Sequence, residues 1–177
     1  MVIEVEIRSF ITPEEYKKFI AFFTANGKLI NKDFQETYYF NAKEDLRIQR
    51  NDFFSKIWLK KGKLHDEARE EIEIKFARED FSKLESLFLA LGFKVEIKWF
   101  RLRHTFEWKG ISVMVDYTKG YGHILELEKL CSDKEKASSL ALLKKRMKEL
   151  HVKKTPKQEF DKKYNYYKEN WKTLTSS

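Results

Sequence analysis

The chain has 177 residues, 42% of them hydrophobic and 15% aromatic, enough apolar material to bury a core without staples. A single cysteine, Cys131, rules out an internal disulfide and fits a cytoplasmic protein; apolar runs such as FIAFF (19–23) and LFLALGF (87–93) are too short to cross a bilayer, and the first residues lack a signal-peptide layout. The net charge of +8 is concentrated: residues 1–128 balance 22 basic against 22 acidic side chains, and the whole excess falls within 129–172.

EVEIR at 4–8 alternates Glu4, Glu6 and Arg8 with Val5 and Ile7, the period of a strand with one charged and one apolar face. Thr12 as N-cap, Pro13 at the first helical position and Glu15 at the capping-box position then open a helix, with Tyr16, Phe19, Ile20 and Phe23 on one side and Gly27 to end it. Strands are predicted at 34–41, 45–50 and 55–61. EIEIK at 71–75 repeats the opening, setting Glu71, Glu73 and Lys75 against Ile72 and Ile74. Asp80 follows as N-cap, then a stripe of Phe81, Leu84, Leu87, Phe88 and Leu91, then Gly92 as the stop. Residues 4–27 and 71–92 therefore read as two copies of one strand-helix unit. Further strands are predicted at 94–108, 111–117 and 123–129, with GYG at 120–122 as a turn. Ser132 with Glu135 starts a helix at 133–150, and Thr155, Pro156 and Gln158 start another at about 156–171. No linker sets these basic helices apart, so one domain over 1–177 is expected. They could attract nucleic acid, although a solvated lysine-rich face is the plainer reading.

The charged face recurs in Arg101 and Arg103 beside Leu102, and in Glu126 and Glu128 beside Leu125 and Leu127. One such strand is ordinary. Seven or eight of them, with helices to cover the apolar faces, form an antiparallel sheet that tends to curl and close, gathering the charges inside. Crowded carboxylates then call for a hard cation, Mg²⁺ or Mn²⁺, and the matching arginines and lysines for a polyanion rich in phosphate. Other chemistry has little support: there is no GxxxxGK[ST], GxGxxG or CxxC motif, the four histidines lack ligand spacing, and Cys131 has no identifiable base.

In chain order, ExExR at 4–8, QETYYF at 35–40, LR at 46–47, KG at 61–62, RxExE at 69–73, RLRHTF at 101–106, Asp116 and GHILELE at 122–128 resemble the CYTH superfamily of triphosphate tunnel metalloenzymes. The resemblance implies an α+β fold: a closed eight-stranded antiparallel barrel whose tunnel takes triphosphate with a divalent metal, Mg²⁺ or Mn²⁺. By resemblance, Glu4, Glu6, Asp116, Glu126 and Glu128 would hold the metal, with Glu71 and Glu73 as further acidic groups. Arg8, Arg47, Lys61, Arg69, Lys75, Arg101 and Arg103 would grip phosphate; Glu4, Glu6, Arg8, Arg101 and Arg103 form the catalytic set. The implied activity is hydrolysis of the terminal phosphate of tripolyphosphate, a nucleoside triphosphate or thiamine triphosphate. The alternatives are a class IV adenylyl cyclase and a non-catalytic module binding polyphosphate or RNA. The expected partner is the small-molecule substrate, with no membrane, and the expected state a monomer or homodimer. Three positions depart from the pattern: Arg8 stands for the usual lysine, Thr37 for an acidic residue, and Gln49 for a second arginine that Arg50 could replace.

Overall fold

Alternation of apolar and charged residues produces strands that can bury one face and keep the other for polar work. The computed structural model describes residues 3–61 and 68–176. Its strands are β1 (Ile3–Ile11), β2 (Lys28–Phe40), β3 (Asp45–Arg50), β4 (Ser55–Lys60), β5 (Ala68–Arg69), β6 (Glu71–Phe76), β7 (Val95–Trp108), β8 (Ile111–Thr118) and β9 (Gly122–Cys131). They form one sheet in the order β5-β1-β9-β8-β7-β2-β3-β4-β6, antiparallel at every pairing. Only Glu70 separates β5 from β6, so segment 68–76 lies on β1 at one edge of the sheet and on β4 at the other. Both edges thus meet on one segment. Counted as a single strand, it gives the expected eight-stranded closed barrel.

β2 begins six residues before the predicted start, because the 14-residue β7 offers a partner as far as Lys28, past an irregularity at Leu29/Asn31. Between β7 and β8, Lys109 (φ 48°) and Gly110 (φ 74°) make a two-residue left-handed turn, the kind whose twist suits a hairpin.

The helices are α1 (Pro13–Asn26), α2 (Phe81–Ala90), α3 (Lys136–Glu149) and α4 (Lys157–Leu174). Thr12 and Glu15 form the full capping box ahead of α1. Gly27, by contrast, is extended, and its lack of a side chain serves close approach: a Cβ would sit 2.9 Å from the Glu107 carbonyl. Asp80 does not cap α2; its carboxylate accepts Lys83 Nζ at 2.5 Å instead. Gly92 (φ 88°) does stop that helix, in a Schellman arrangement where Phe93 N–H bonds to Phe88 O and Gly92 N–H to Leu89 O. Thr155 gives no cap to α4. Its hydroxyl accepts Phe10 N–H at 3.0 Å and pairs with Ser9 at 2.9 Å, pinning the start of the C-terminal helix to β1. Among the described residues, no helix is long and apolar enough to cross a membrane.

Three apolar clusters hold the helices. Val5, Ile7, Leu125 and Leu127, all under 3% exposed, lie beneath Phe19 and Phe23 of α1 and Leu143 and Met147 of α3. Tyr38, Phe40 and Ile48 receive Phe81, Leu84 and Phe88 of α2. Ile97, Trp99, Tyr121 and Ile124 receive Phe160 and Tyr167 of α4. The second strand-helix unit is only partly equivalent to the first: Ile72 and Ile74 remain 47% and 54% exposed. The physical reason is that β1 is covered by α3, which has no counterpart over β6 among the described residues.

Candidate functional site

A cavity of about 360 Å³ inside the barrel is lined by the inward-facing side chains of its strands and closed over in part by α4. Seven carboxylates and six cations line it. β1 supplies Glu4, Glu6 and Arg8, β9 Glu126 and Glu128, β8 Asp116, β7 Arg101 and Arg103, β3 Arg47, and β6 Glu71 and Glu73. Eleven of the residues named from sequence therefore converge on one space.

Three do not join them. Lys61 is exposed and paired with Glu70 at 3.1 Å, because alternation along β4 turns Lys56, Trp58 and Lys60 inward and Lys61 out. Lys75 lies outside the lining, 3.7 Å from Glu73 and 4.6 Å from the Phe54 ring. The Arg69 side chain falls outside the described residues. Arg50 does not replace Gln49; it binds Glu36 at 2.6 Å and lies over Phe81 on the outer surface.

The acidic side is crowded. Glu6 and Glu128 face each other directly across β1 and β9, and Arg8 is opposite Glu126. Burial first, then the charges of Glu4 and Glu126, push Glu128 up to about 8. Glu6 Oε1 accepts no hydrogen bond, with Arg8 Nη1 3.5 Å away. Lys60 bridges Glu4 and Glu71 at 2.8 Å each; burial opposes its charge, but Glu4, Glu6 and Glu71 outweigh this and raise its pKa.

The basic side is unevenly compensated. Arg103 holds Asp116 at 2.6 Å and Glu126 at 3.1 Å, and these two carboxylates overcome desolvation to raise its pKa. Arg47 is gripped by Asp45 and stacked on Tyr39 at 4.2 Å; against desolvation, Tyr39 and Asp45 raise it too. Arg101 is the exception: burial, and then its neighbour Arg103, lower its pKa. Arg8 Nη2 is buried without a hydrogen-bond partner.

The sequence reading missed Lys56, Lys60, Trp58, Trp99, Phe160 and Tyr164; Gln35, Tyr39 and Gln49 stood in its motifs without a role in the site. For the lysines the signal was present, since Lys56 and Lys60 share a face with Trp58 and alternate with Ile57 and Leu59. For Phe160 and Tyr164 it was not, since nothing local says that α4 returns to the barrel. Tyr121 also lines the cavity, whereas Phe106 and Trp108 are core, 1% and 4% exposed.

Among the described residues, no three acidic, histidine or cysteine groups are placed to close on a metal ion. The donor chemistry nonetheless fits a hard divalent cation: the set is all carboxylate, one oxygen of Glu6 is unpartnered, and Glu128 is held up by charges that nothing fully neutralises.

Comparison with known proteins places this geometry. Residues 2–159 match the CYTH domain. A Methanocaldococcus jannaschii protein named as a candidate adenylate cyclase is 34% identical over 165 residues, covering 86% of this chain and 92% of its own. The solved structure of the PH1819 protein of Pyrococcus horikoshii superposes with a TM-score of 0.73 at 26% identity, over 85% of this chain and 92% of that one. A Hippeastrum protein, titled as a candidate adenylyl cyclase with a dominant triphosphatase activity, superposes with a TM-score of 0.61 at 18% identity, over 86% and 89%. That last likeness is one of fold.

Proposed function

We propose, from the premise that this chain belongs to the CYTH domain family, that it hydrolyses the terminal phosphate of a triphosphate-bearing small molecule with a divalent metal. One observation carries the reading: the same cavity holds guanidiniums short of an anion and a carboxylate short of a cation. Arg8 and Arg101 are under-compensated guanidiniums, while Glu128 is driven towards neutrality by its carboxylate neighbours. A metal triphosphate supplies both missing charges at once.

In this reading Arg8, Arg101 and Arg103 bind the phosphate oxygens and take up charge as the bond breaks. Water adds to the terminal phosphorus, the bridging P–O bond breaks with its electron pair leaving on the diphosphate, and the water's proton passes to a carboxylate of the acidic side. Glu6 and Glu128, with Glu4 and Glu126, would hold Mg²⁺ or Mn²⁺. When bound, the metal shields phosphate charge and polarises the phosphoryl group. The aromatic rings beside Arg8 and Arg47 lower the polarity around these cations, which strengthens their interactions with phosphate.

The cyclase reading has the name of the M. jannaschii relative in its favour. Hydrolysis is placed first because the Hippeastrum protein, also a cyclase by name, has a dominant triphosphatase activity. Product analysis decides between them. With tripolyphosphate, ATP or thiamine triphosphate and Mg²⁺ or Mn²⁺, orthophosphate should be released, and Glu6→Gln should lower the rate by about a hundredfold or more. Cyclic AMP with pyrophosphate would establish the cyclase instead. Tight binding with no product would leave a binding module.

A further inference from the structure

The closest partner of Arg101 is a neutral amide. Its Nε and Nη2 both donate to Gln35 Oε1, at 2.9 and 2.7 Å, whereas Asp116 stands 3.4 Å from Nη1 and is taken up more closely by Arg103. Gln35 is directly opposite Arg101 across β2 and β7 and is 8% exposed. Its orientation is dictated by chemistry, since a guanidinium can only donate and a carboxylate only accept. Oε1 therefore faces Arg101, and Nε2 donates to Asp33 Oδ2 at 3.0 Å.

Asp33 is in turn fixed by backbone. Its Oδ1 accepts the Asp52 N–H at 3.1 Å, and Asp52 returns the contact by accepting the Phe34 N–H at 3.0 Å. From the other side Gln49 Nε2 reaches Gln35 Oε1 at 3.4 Å and Thr37 Oγ1 at 2.8 Å. Thr37 and Gln49, two of the three departures from the family pattern, are thus direct cross-strand partners. They carry a neutral hydrogen bond where the pattern would set an acid beside an arginine.

We infer that Gln35 is a positioning residue for the phosphate site: its amide orients the Arg101 guanidinium into the cavity while leaving the positive charge available to a phosphate oxygen. A carboxylate in the same place would orient Arg101 equally well, but would neutralise it. The neutral Thr37–Gln49 pair serves the same end, because it brings no counter-charge to Gln35. The inference rests on the proposed triphosphate site, and its test keeps the two apart.

Binding of inorganic tripolyphosphate is measured by calorimetry with metal chelated, so that nothing turns over; kcat and KM are then measured with Mg²⁺. Q35E should bind about tenfold or more weakly, the loss expected when a charged guanidinium gains a carboxylate partner. Q35M should bind within about threefold of wild type but lower kcat about tenfold, since the charge survives and its aim does not. In an Arg101→Ala background, the Q35E penalty should shrink below about threefold. Wild-type Q35E affinity, or the same penalty with and without Arg101, overturns the inference. So does an equal loss of affinity in Q35E and Q35M, which would mark Gln35 as packing. If Q35E does not fold, Q35M decides alone, because a packing role would move KM together with kcat. Wild-type protein that binds no tripolyphosphate with metal chelated and turns none over with Mg²⁺ overturns the site itself, and the inference with it.

Discussion

Glu128 shows how single residues register what the barrel gathers. In isolation its carboxyl would titrate near 4.5; in the barrel, burial and its neighbours Glu4 and Glu126 bring it to about 8. The folded state therefore holds a proton that the unfolded chain releases between those values. Stability that is present below about 4.5 is lost as pH rises through 8. Metal-free protein should lose about 2 kcal/mol between roughly pH 6 and pH 8 by urea denaturation, and Glu128→Gln should flatten that slope. A slope unchanged in the variant would place the titration elsewhere. At this scale much of the site was legible. Glu4, Glu6, Arg8, Glu126 and Glu128 could be found because period-two alternation with apolar partners assigns each to the inner face. Lys61 and Lys75 were misplaced for opposite reasons: Lys61 by ignoring that alternation, and Lys75 by following it to the far end of β6, outside the cavity.

Among the elements, α4 is the one whose position had to be seen. Its sequence shows a start, but its partners lie far away in the chain: Tyr167 donates to Lys98 O and Trp171 to Glu96 O, both at 2.9 Å. The turn between β8 and β9 is built around its end. Gly120 has φ 73°, and a Cβ there would lie 2.7 Å from Leu174 Cβ and 2.9 Å from the Leu174 carbonyl. Gly120→Ala should therefore cost more than the ~1–2 kcal/mol of left-handed backbone strain. Gly110 is the control, with φ 74° and open space around its would-be Cβ. Gly110→Ala should cost only the strain, about 1 kcal/mol. Hydrogen exchange should show faster opening of α4 in Gly120→Ala and none in Gly110→Ala; equal behaviour would mean that α4 does not bear on the turn. The duplicated strand-helix unit was legible in the same partial way. Both copies exist as elements, but the cover over β1 comes from α3, a partner that periodicity within the unit cannot reveal.

For the whole molecule, closure depends on a seam. β1 and β4 share segment 68–76, and inside that junction Lys60 of β4 holds Glu4 of β1 and Glu71 of β6 at 2.8 Å each. All three side chains are largely buried, at 12% to 21% exposed. Two carboxylates left there without their cation would each face desolvation uncompensated. Lys60→Met should then destabilise metal-free protein by about 3–5 kcal/mol at neutral pH. Lys60→Arg, which keeps the charge, should lose far less, and urea denaturation at neutral pH distinguishes the cases. A Lys60→Met protein as stable as wild type at neutral pH would show that the ladder alone closes the barrel, with the ion pairs across the seam adding nothing to it.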